Sequence, residues 1–343
     1  MHEDISIHEA AKYPWSVMAR SLLKNLDVTL GEVDNNPRIV QRAHDRLSQA
    51  LDSRRIRTRE MQSDDEYIEL TSFFVAKALV DGIGSMFLRR RWATAEAKRA
   101  EGFLLKESET KLPQFAKQEF NWQISSAGRV ASRVFSHRLH FSNYLDATAG
   151  FHEREWKLVN KRLDKGYVLL RKSETVRVIR AAVEKMLIRD IKKVPANFPP
   201  NIQKVYEDID ETVRKQTDRM RQEIQGEIVT EAFPPCMQAL LADMNEGKPL
   251  SHIARFAITA FLLNVGMDVD SVLELFMRAP DFREDLARYQ IEHIAGKRGS
   301  TEYTPPSCAY MISVRLCVDP DKAESRRHPL AYYRRRRKWL SKR

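Results

Sequence analysis

The sequence predicts a mostly α protein in two parts: a helical N-terminal domain carrying a small β insertion, followed by a helical C-terminal domain. Three observations predict it. Only 12 Gly and 14 Pro punctuate 343 residues. Apolar residues recur at helical spacing over long stretches. The period changes to two only briefly, in the middle of the first part. A chain of this length is also long for a single core, which favours two domains.

The clearest helical stretch runs over residues 66–107, where Leu70, Phe73, Phe74, Lys77 and Ala78 share a face. Leu79, Ile83, Met86 and Phe87 continue it, and Arg89, Arg90, Arg91, Lys98 and Arg99 predict a basic surface. Alternation at Phe135, His137, Leu139 and Phe141 predicts a short strand, and Tyr167–Leu170 after Gly166 a second. Ser173 then reads as the N-cap of a helix reaching about Ile191, with Val176, Val178, Ile179, Val183, Met186 and Leu187 as its apolar stripe. Pro195, Pro199 and Pro200 interrupt the pattern before a highly charged segment. A boundary near residue 205 divides domains 1–205 and 206–343. Helices are expected over 237–277, around a Gly247-Lys248-Pro249 turn, and over 281–293. Beyond Gly296 the prolines predict irregular chain, ending in the basic run Arg334–Lys338. That run reads equally as a polyanion-binding arm or as a disordered solubilising end.

Charge narrows the function. The net charge of +11 favours polyanionic partners. It is unevenly spread: residues 1–200 hold 35 basic and 26 acidic side chains, a net of +9. Residues 201–333 hold 16 and 21, a net of −5, and the last ten residues add seven cations. From charge alone, a soluble protein with a basic tail is an equal reading. The longest apolar run, Phe256–Val265, is about half the length a membrane span needs. Glu3 and Asp4 stand where a secretory leader wants cations, so a cytoplasmic setting is expected. Cys236, Cys308 and Cys317 are too few for a disulfide framework and form no CxxC pair. By spacing they are a weak metal signal.

Several segments in order carry a family resemblance. Phe-Pro-Pro-Cys236, Tyr303-Thr-Pro-Pro-Ser-Cys308, Leu316-Cys317 and His328-Pro-Leu-Ala-Tyr332-Tyr333 resemble the iron–sulfur domain of the archaeal and eukaryotic DNA primase large subunit. Ala11-Lys-Tyr-Pro-Trp15, Glu96-Ala-Lys-Arg99, Tyr144-Leu-Asp146 and Trp156-Lys-Leu-Val-Asn160 extend it over nearly the whole chain. The resemblance implies a non-catalytic regulatory subunit of a heterodimeric primase. Its N-terminal domain would dock the catalytic small subunit. Its C-terminal domain would bind single-stranded DNA template and the initiating nucleotide, later the RNA primer 5′ end. It also implies a [4Fe–4S] cluster on four cysteines, of which Cys236, Cys308 and Cys317 match. The fourth is missing; Asp319, Asp321, Glu324, Ser325 and His328 are the candidates to complete the shell, and three structural thiols without a cluster are the other reading.

His252, Arg255 and Thr259 fall at i, i+3 and i+7 and so share one helix face, with Ile253, Phe256, Ala260 and Leu263 beside it. On spacing alone this is as well a solvated polar face. The resemblance assigns His252 and Arg255 to the template and the nucleotide triphosphate, a task that suits a guanidinium fork. Tyr289, His293, Lys297 and Arg298 form a second candidate cluster, able to stack on a base and hold phosphate, or else a half-buried Tyr and His beside solvated cations. Arg326 and His328 fit either the cluster shell or the nucleic-acid face. Trp15 and Trp156 read as core or subunit-interface residues. Asp268 and Asp270 have the Asp-x-Asp spacing of a polymerase but follow Gly266 in a helix-connecting turn, where helix capping is the expectation. No P-loop is present. An iron–sulfur nuclease would need a catalytic carboxylate set that the sequence lacks. A DNA-binding scaffold without nucleotide preference stays open.

Overall fold

The computed structural model describes residues 6–57, 63–127, 135–151, 153–192, 197–224, 227–277, 282–298, 303–320 and 328–342. It divides into two compact units, 1–216 and 217–343. Both are helical, as expected.

Unit 1 opens with α1 (Ile7–Lys12), α2 (Val17–Asn25) and α3 (Leu30–Asp34). The long helices α4 (Pro37–Ser53), α5 (Ser63–Ile83) and α6 (Met86–Leu104) follow, then α7 (Lys111–Phe120). The expected continuous helix over 66–107 is therefore two. Gly84 takes a left-handed φ of 68°, a conformation open to glycine, and ends α5. Ser85 then caps α6 by accepting from the Leu88 N–H at 3.5 Å.

The anticipated basic surface of α6 is also corrected, because Arg89 and Arg99 point into the core. Arg89 and Lys77 both bind Asp81, at 2.6 and 2.8 Å, and both donate to the Asp190 carbonyl. Helices α5 and α6 are thus pinned together at the end of a third helix, and a lysine on an apolar face finds its reason. Arg99 belongs to a larger network. Glu69 of α5 accepts from Arg42 at 2.5 Å, Arg46 at 2.7 Å and Arg99 at 2.9 Å, while Arg46 also reaches Glu96 at 2.6 Å. Arg99 further donates to the carbonyls of Ala11 and Lys12 at the end of α1. Burial alone would push the Glu69 carboxyl up, but the guanidiniums of Arg46, Arg99 and Arg42 hold it down at about 2. Burial and the neighbouring Arg46 push Arg99 down to about 10. Around these pairs close Trp92, Phe73, Leu47 and Leu79, with Trp15 and Trp156 also buried in the same core.

The β insertion is a four-stranded antiparallel sheet in the order β1 (Ile124–Ser126), β2 (His137–His140), β4 (Tyr167–Leu170), β3 (Leu163–Asp164). Leu139 pairs with Val168 and His137 with Leu170, so the alternation seen in sequence does place a buried face on the core. The strand stops at His140, because Phe141 opens α8 (Phe141–Thr148). His137 is fully buried between the Thr175 hydroxyl and the Glu109 carbonyl, and burial lowers its pKa.

Helix α9 runs over Lys172–Arg189. Its N-cap is Arg171, two residues before the expected Ser173, since the Glu174 carboxylate reaches back to the Arg171 N–H at 2.8 Å. The charged segment is α10 (Pro200–Gln222), and the division between the units falls within it. The expected boundary near 205 lies eleven residues earlier. Ile202, Ile209 and Val213 explain the shift, because all three are buried in the unit 1 core, and Asp34 accepts from the Ile202 N–H at 2.7 Å.

Unit 2 contains α11 (Pro235–Asn245), α12 (His252–Asn264), α13 (Val269–Phe276), α14 (Glu284–Ile294), α15 (Cys308–Ser313) and α16 (Pro329–Leu340). Asp268 caps α13, accepting from the Ser271 N–H at 2.9 Å and its hydroxyl at 2.6 Å, and Asp270 pairs with Arg288 at 2.7 Å. The Asp-x-Asp spacing is spent on capping and on an ion pair. The irregular end expected after Gly296 is corrected by α16. Its proline sits in the first turn, where the missing N–H costs nothing, and the basic run continues as helix. No described helix is long and apolar enough to cross a membrane.

Candidate functional site

Two sites take shape in unit 2. The first is a cavity of about 510 Å³ between α12 and α14. Ser251 starts α12 by accepting from the Ala254 N–H at 3.3 Å. Ala254, Ala257, Ile258, Phe261 and Leu262 then turn into the core. That leaves His252, Arg255, Phe256 and Thr259 on the wall of the cavity. The face expected to anchor the helix is rotated: Ile253 and Phe256 are only half-buried, and Thr259 is buried at 2%. Arg255 is steadied at its base by the Leu250 carbonyl, which accepts from Nε at 3.0 Å.

The opposite wall comes from α14. Tyr289 and His293, four residues apart, stack with ring centroids 6.4 Å apart. His293 stacks in turn on Tyr303 at 5.4 Å, and Tyr303 meets Phe256 edge to face at 5.9 Å. Tyr303 is held by its backbone: its N–H donates to the Ile294 carbonyl, and its carbonyl accepts from the Asn264 amide at 2.8 Å. The result is a row of four rings whose outer member, Tyr289, is 51% exposed. Stacked rings beside a guanidinium and an imidazole suit a planar base joined to an anionic group.

Four of the six expected contacts, His252, Arg255, Tyr289 and His293, line this one cavity. Lys297 and Arg298 do not. Arg298 donates to Glu292 at 2.6 Å and covers the Tyr289 ring at 5.0 Å, and Lys297 is exposed after the end of α14. Phe256, Tyr303 and Arg283 line the cavity without having been singled out for it. Phe256 carried a signal, since it lies one position from Arg255, but a phenylalanine on an amphipathic helix ordinarily belongs to the core.

The second site is a small cavity ringed by Cys236, Cys308 and Cys317, with Met311, Asp319 and Tyr332. Each thiol sits at the end of an element. Cys236 follows the two prolines that open α11, and Cys308 begins α15 after Ser307, whose hydroxyl accepts from the Tyr310 N–H at 3.3 Å. Cys317 follows a turn in which Arg315 takes a φ of 59°, and its N–H donates to the Met311 carbonyl. Burial, and then the neighbouring Cys317 and Cys308, push the Cys236 thiol up to about 11. Among the described residues no three His, Cys, Asp or Glu side chains come close enough to share a single ion. The thiols face a common space without meeting at one point. Of the fourth-ligand candidates, Asp319 lies on that wall; His328 instead caps α16 by accepting from the Leu330 N–H at 3.3 Å. Asp321, Glu324, Ser325 and Arg326 lie outside the described residues.

Residues 226–335 match the family model for the C-terminal domain of the eukaryotic and archaeal DNA primase large subunit. A protein named DNA primase large subunit PriL from Methanocella arvoryzae is 36% identical over 334 residues, covering 95% of this chain and 87% of the relative. Its namesake from Methanococcoides burtonii is 34% identical over 302 residues, 86% of this chain and 82% of the relative. That from Halobacterium salinarum is 33% identical over 337 residues, 94% and 92%.

Proposed function

The chain belongs to the eukaryotic and archaeal DNA primase large subunit family, the non-catalytic partner in a complex with the small catalytic subunit, and we propose that unit 2 holds the initiating nucleotide for that partner's active site. The observation that carries this reading is the meeting of His252, Arg255, Tyr289 and His293 on one cavity. In it the aromatic row takes a base of the nucleotide or template. Arg255 and His252 take the triphosphate, helped by the first-turn amides of α12.

Starting a primer requires two free nucleotides to meet on a single-stranded template. The entropic cost is large, and a subunit that holds the 5′ nucleotide in place removes much of it before chemistry begins. Unit 1 is the part that docks the catalytic subunit. After initiation, retained contact with the RNA primer 5′ end would let unit 2 limit primer length. The setting is cytoplasmic, beside the DNA being replicated.

The competing reading is a DNA-binding scaffold with no nucleotide preference. Binding to a template-annealed RNA primer separates the two. A 5′-triphosphate end is expected to bind the chain roughly tenfold tighter than a 5′-hydroxyl end. Equal affinities would favour the scaffold.

Cys236, Cys308 and Cys317 are proposed as three ligands of a [4Fe–4S] cluster, with Asp319 as the fourth-ligand candidate on the cavity wall. Thiolates are the donors that iron–sulfur clusters use. Thiols spread around a shared space suit a multi-iron centre, in which each takes a different iron, better than a single ion. The centre would order the loops that carry the cysteines. Chain purified without oxygen is expected to contain iron and labile sulfide in equal amounts. A colourless, iron-free and fully folded unit 2 would rule the cluster out.

A further inference from the structure

The row of rings in the unit 2 cavity is assembled from three places, and one of its members has no helix beneath it. Tyr289 and His293 stand on α14 and Phe256 on α12, so helix geometry fixes where they lie. Tyr303 joins the two walls, stacking on His293 at 5.4 Å and meeting Phe256 edge to face at 5.9 Å, yet it belongs to no helix or strand. Two hydrogen bonds on its own backbone hold it, one to each wall. Its N–H donates to the carbonyl of Ile294, at the end of α14, at 3.0 Å. Its carbonyl accepts from Nδ2 of Asn264, at the end of α12, at 2.8 Å.

Of these two clamps, the first is main chain on both sides and would survive any substitution. The second is written in a single side chain. Asn264 Nδ2 also donates to the Ala260 carbonyl, one turn back, at 2.8 Å. Both amide hydrogens are thus engaged, and the amide cannot be turned over, because its oxygen would then face two carbonyl oxygens. The helix itself gives no reason for asparagine at this position. Asparagine is a poor helix former, and the packing of α12 rests on Ala254, Ala257, Ile258, Phe261 and Leu262. Asn264 is half-buried at the helix end, and its bond reaches 39 residues along the chain to the one ring of the row that no helix carries.

We propose that Asn264 is a positioning residue for base recognition: by tying the Tyr303 backbone to α12 it sets the Tyr303 ring, and so the slot in which a nucleotide's base stacks. The inference rests on the nucleotide reading of this cavity. It goes further in giving the base to Tyr303 and the control of that ring to a residue outside the cavity lining. Arg255 lies about two and a half turns before Asn264 on the same helix. One end of α12 then serves the phosphates and the other end the base.

The test uses the full chain and two probes, inorganic triphosphate and 2-aminopurine riboside 5′-triphosphate, whose fluorescence falls when its base stacks. In Asn264→Leu, affinity for the nucleotide is expected to fall roughly tenfold, the size of one base–ring stack, with less quenching at saturation. Affinity for inorganic triphosphate should stay within about twofold, because the phosphate contacts are distant and independent. Asn264→Asp keeps the shape without the donor and should show the same split, so the result does not hang on the folding of one variant. Tyr303→Leu removes the ring and keeps the backbone. Since Asn264 acts through that ring, the double variant with Asn264→Leu should bind no more weakly than Tyr303→Leu alone. Additive losses in the double variant, or equal loss of both probes in both Asn264 variants, would overturn the proposal. Wild-type chain that binds the two probes equally and without quenching would sink the base-site reading itself, and the role of Asn264 with it, before any substitution is made.

Discussion

Changing Arg255 to alanine is expected to remove most of the chain's preference for a 5′-triphosphate end while leaving its affinity for a 5′-hydroxyl end within about twofold. Arg255 lines the cavity beside His252, and its Nε is tied to the Leu250 carbonyl. Its guanidinium is thus held at the root and aimed by the helix. A charge-assisted contact of this kind contributes about 1.5–3 kcal/mol, enough to account for most of that roughly tenfold preference. Arg255→Lys keeps the charge but not the planar fork and should restore only part of the preference. The variant should fold normally, because its neighbours Ala254, Ala257 and Ile258 carry the packing of α12. Equal loss of affinity for both ends would mean that Arg255 shapes the cavity and does not read phosphate.

The second large effect lies in unit 1. Glu69→Gln keeps the side-chain shape but removes the charge that three buried guanidiniums share. Breaking a buried ion pair from one side typically costs about 3–5 kcal/mol. For a unit of this size, that corresponds to a fall in Tm of roughly 10 °C. The pH dependence has a definite sign. Glu69 titrates at about 2 in the folded chain against an ordinary 4.5. Its contribution is therefore complete above about 4.5 and is lost as pH falls toward about 2. The stability gap between wild type and Glu69→Gln should be constant at neutral pH and begin to close below about 4.5. A Tm within two degrees or so of wild type at pH 7 would show that the network adds little beyond its packing.

The same network explains where sequence reasoning stops. Arg89 and Arg99 belong to a run of cations that any pattern analysis reads as solvated, because isolated charges are rarely buried. Their partners, Asp81 and Glu69, lie eight and thirty residues away in sequence and become visible only when α5 and α6 pack. The fold class was legible because apolar periodicity is local, and so were the strand at Tyr167–Leu170 and the capping role of Asp268. The break at Gly84 was in principle legible, but Ile83 and Met86 kept the apolar pattern running across it.

In unit 2 the site was partly legible for a different reason. His252 and Arg255 share a turn of one helix, as do Tyr289 and His293, so each pair is visible in spacing. What joins the pairs is Tyr303, which stacks on His293 from a segment with no period at all. Lys297 and Arg298 were drawn in by charge, whereas Arg298 is engaged by Glu292 just past the end of the helix. The three thiols gave no spacing signal, since their convergence depends on two helix starts and a turn. The basic run of α16 was equally a loose tail until Tyr333 fixed it to the core.

The most direct test of the account is a paired measurement on the complex with the small catalytic partner, in which de novo primer initiation is compared with extension of a supplied primer. With Arg255→Ala in the large subunit, initiation should fall by roughly ten- to a hundredfold while extension stays near the wild-type rate. Loss of both activities in equal measure would contradict the claim that this cavity holds the first nucleotide for another subunit's active site.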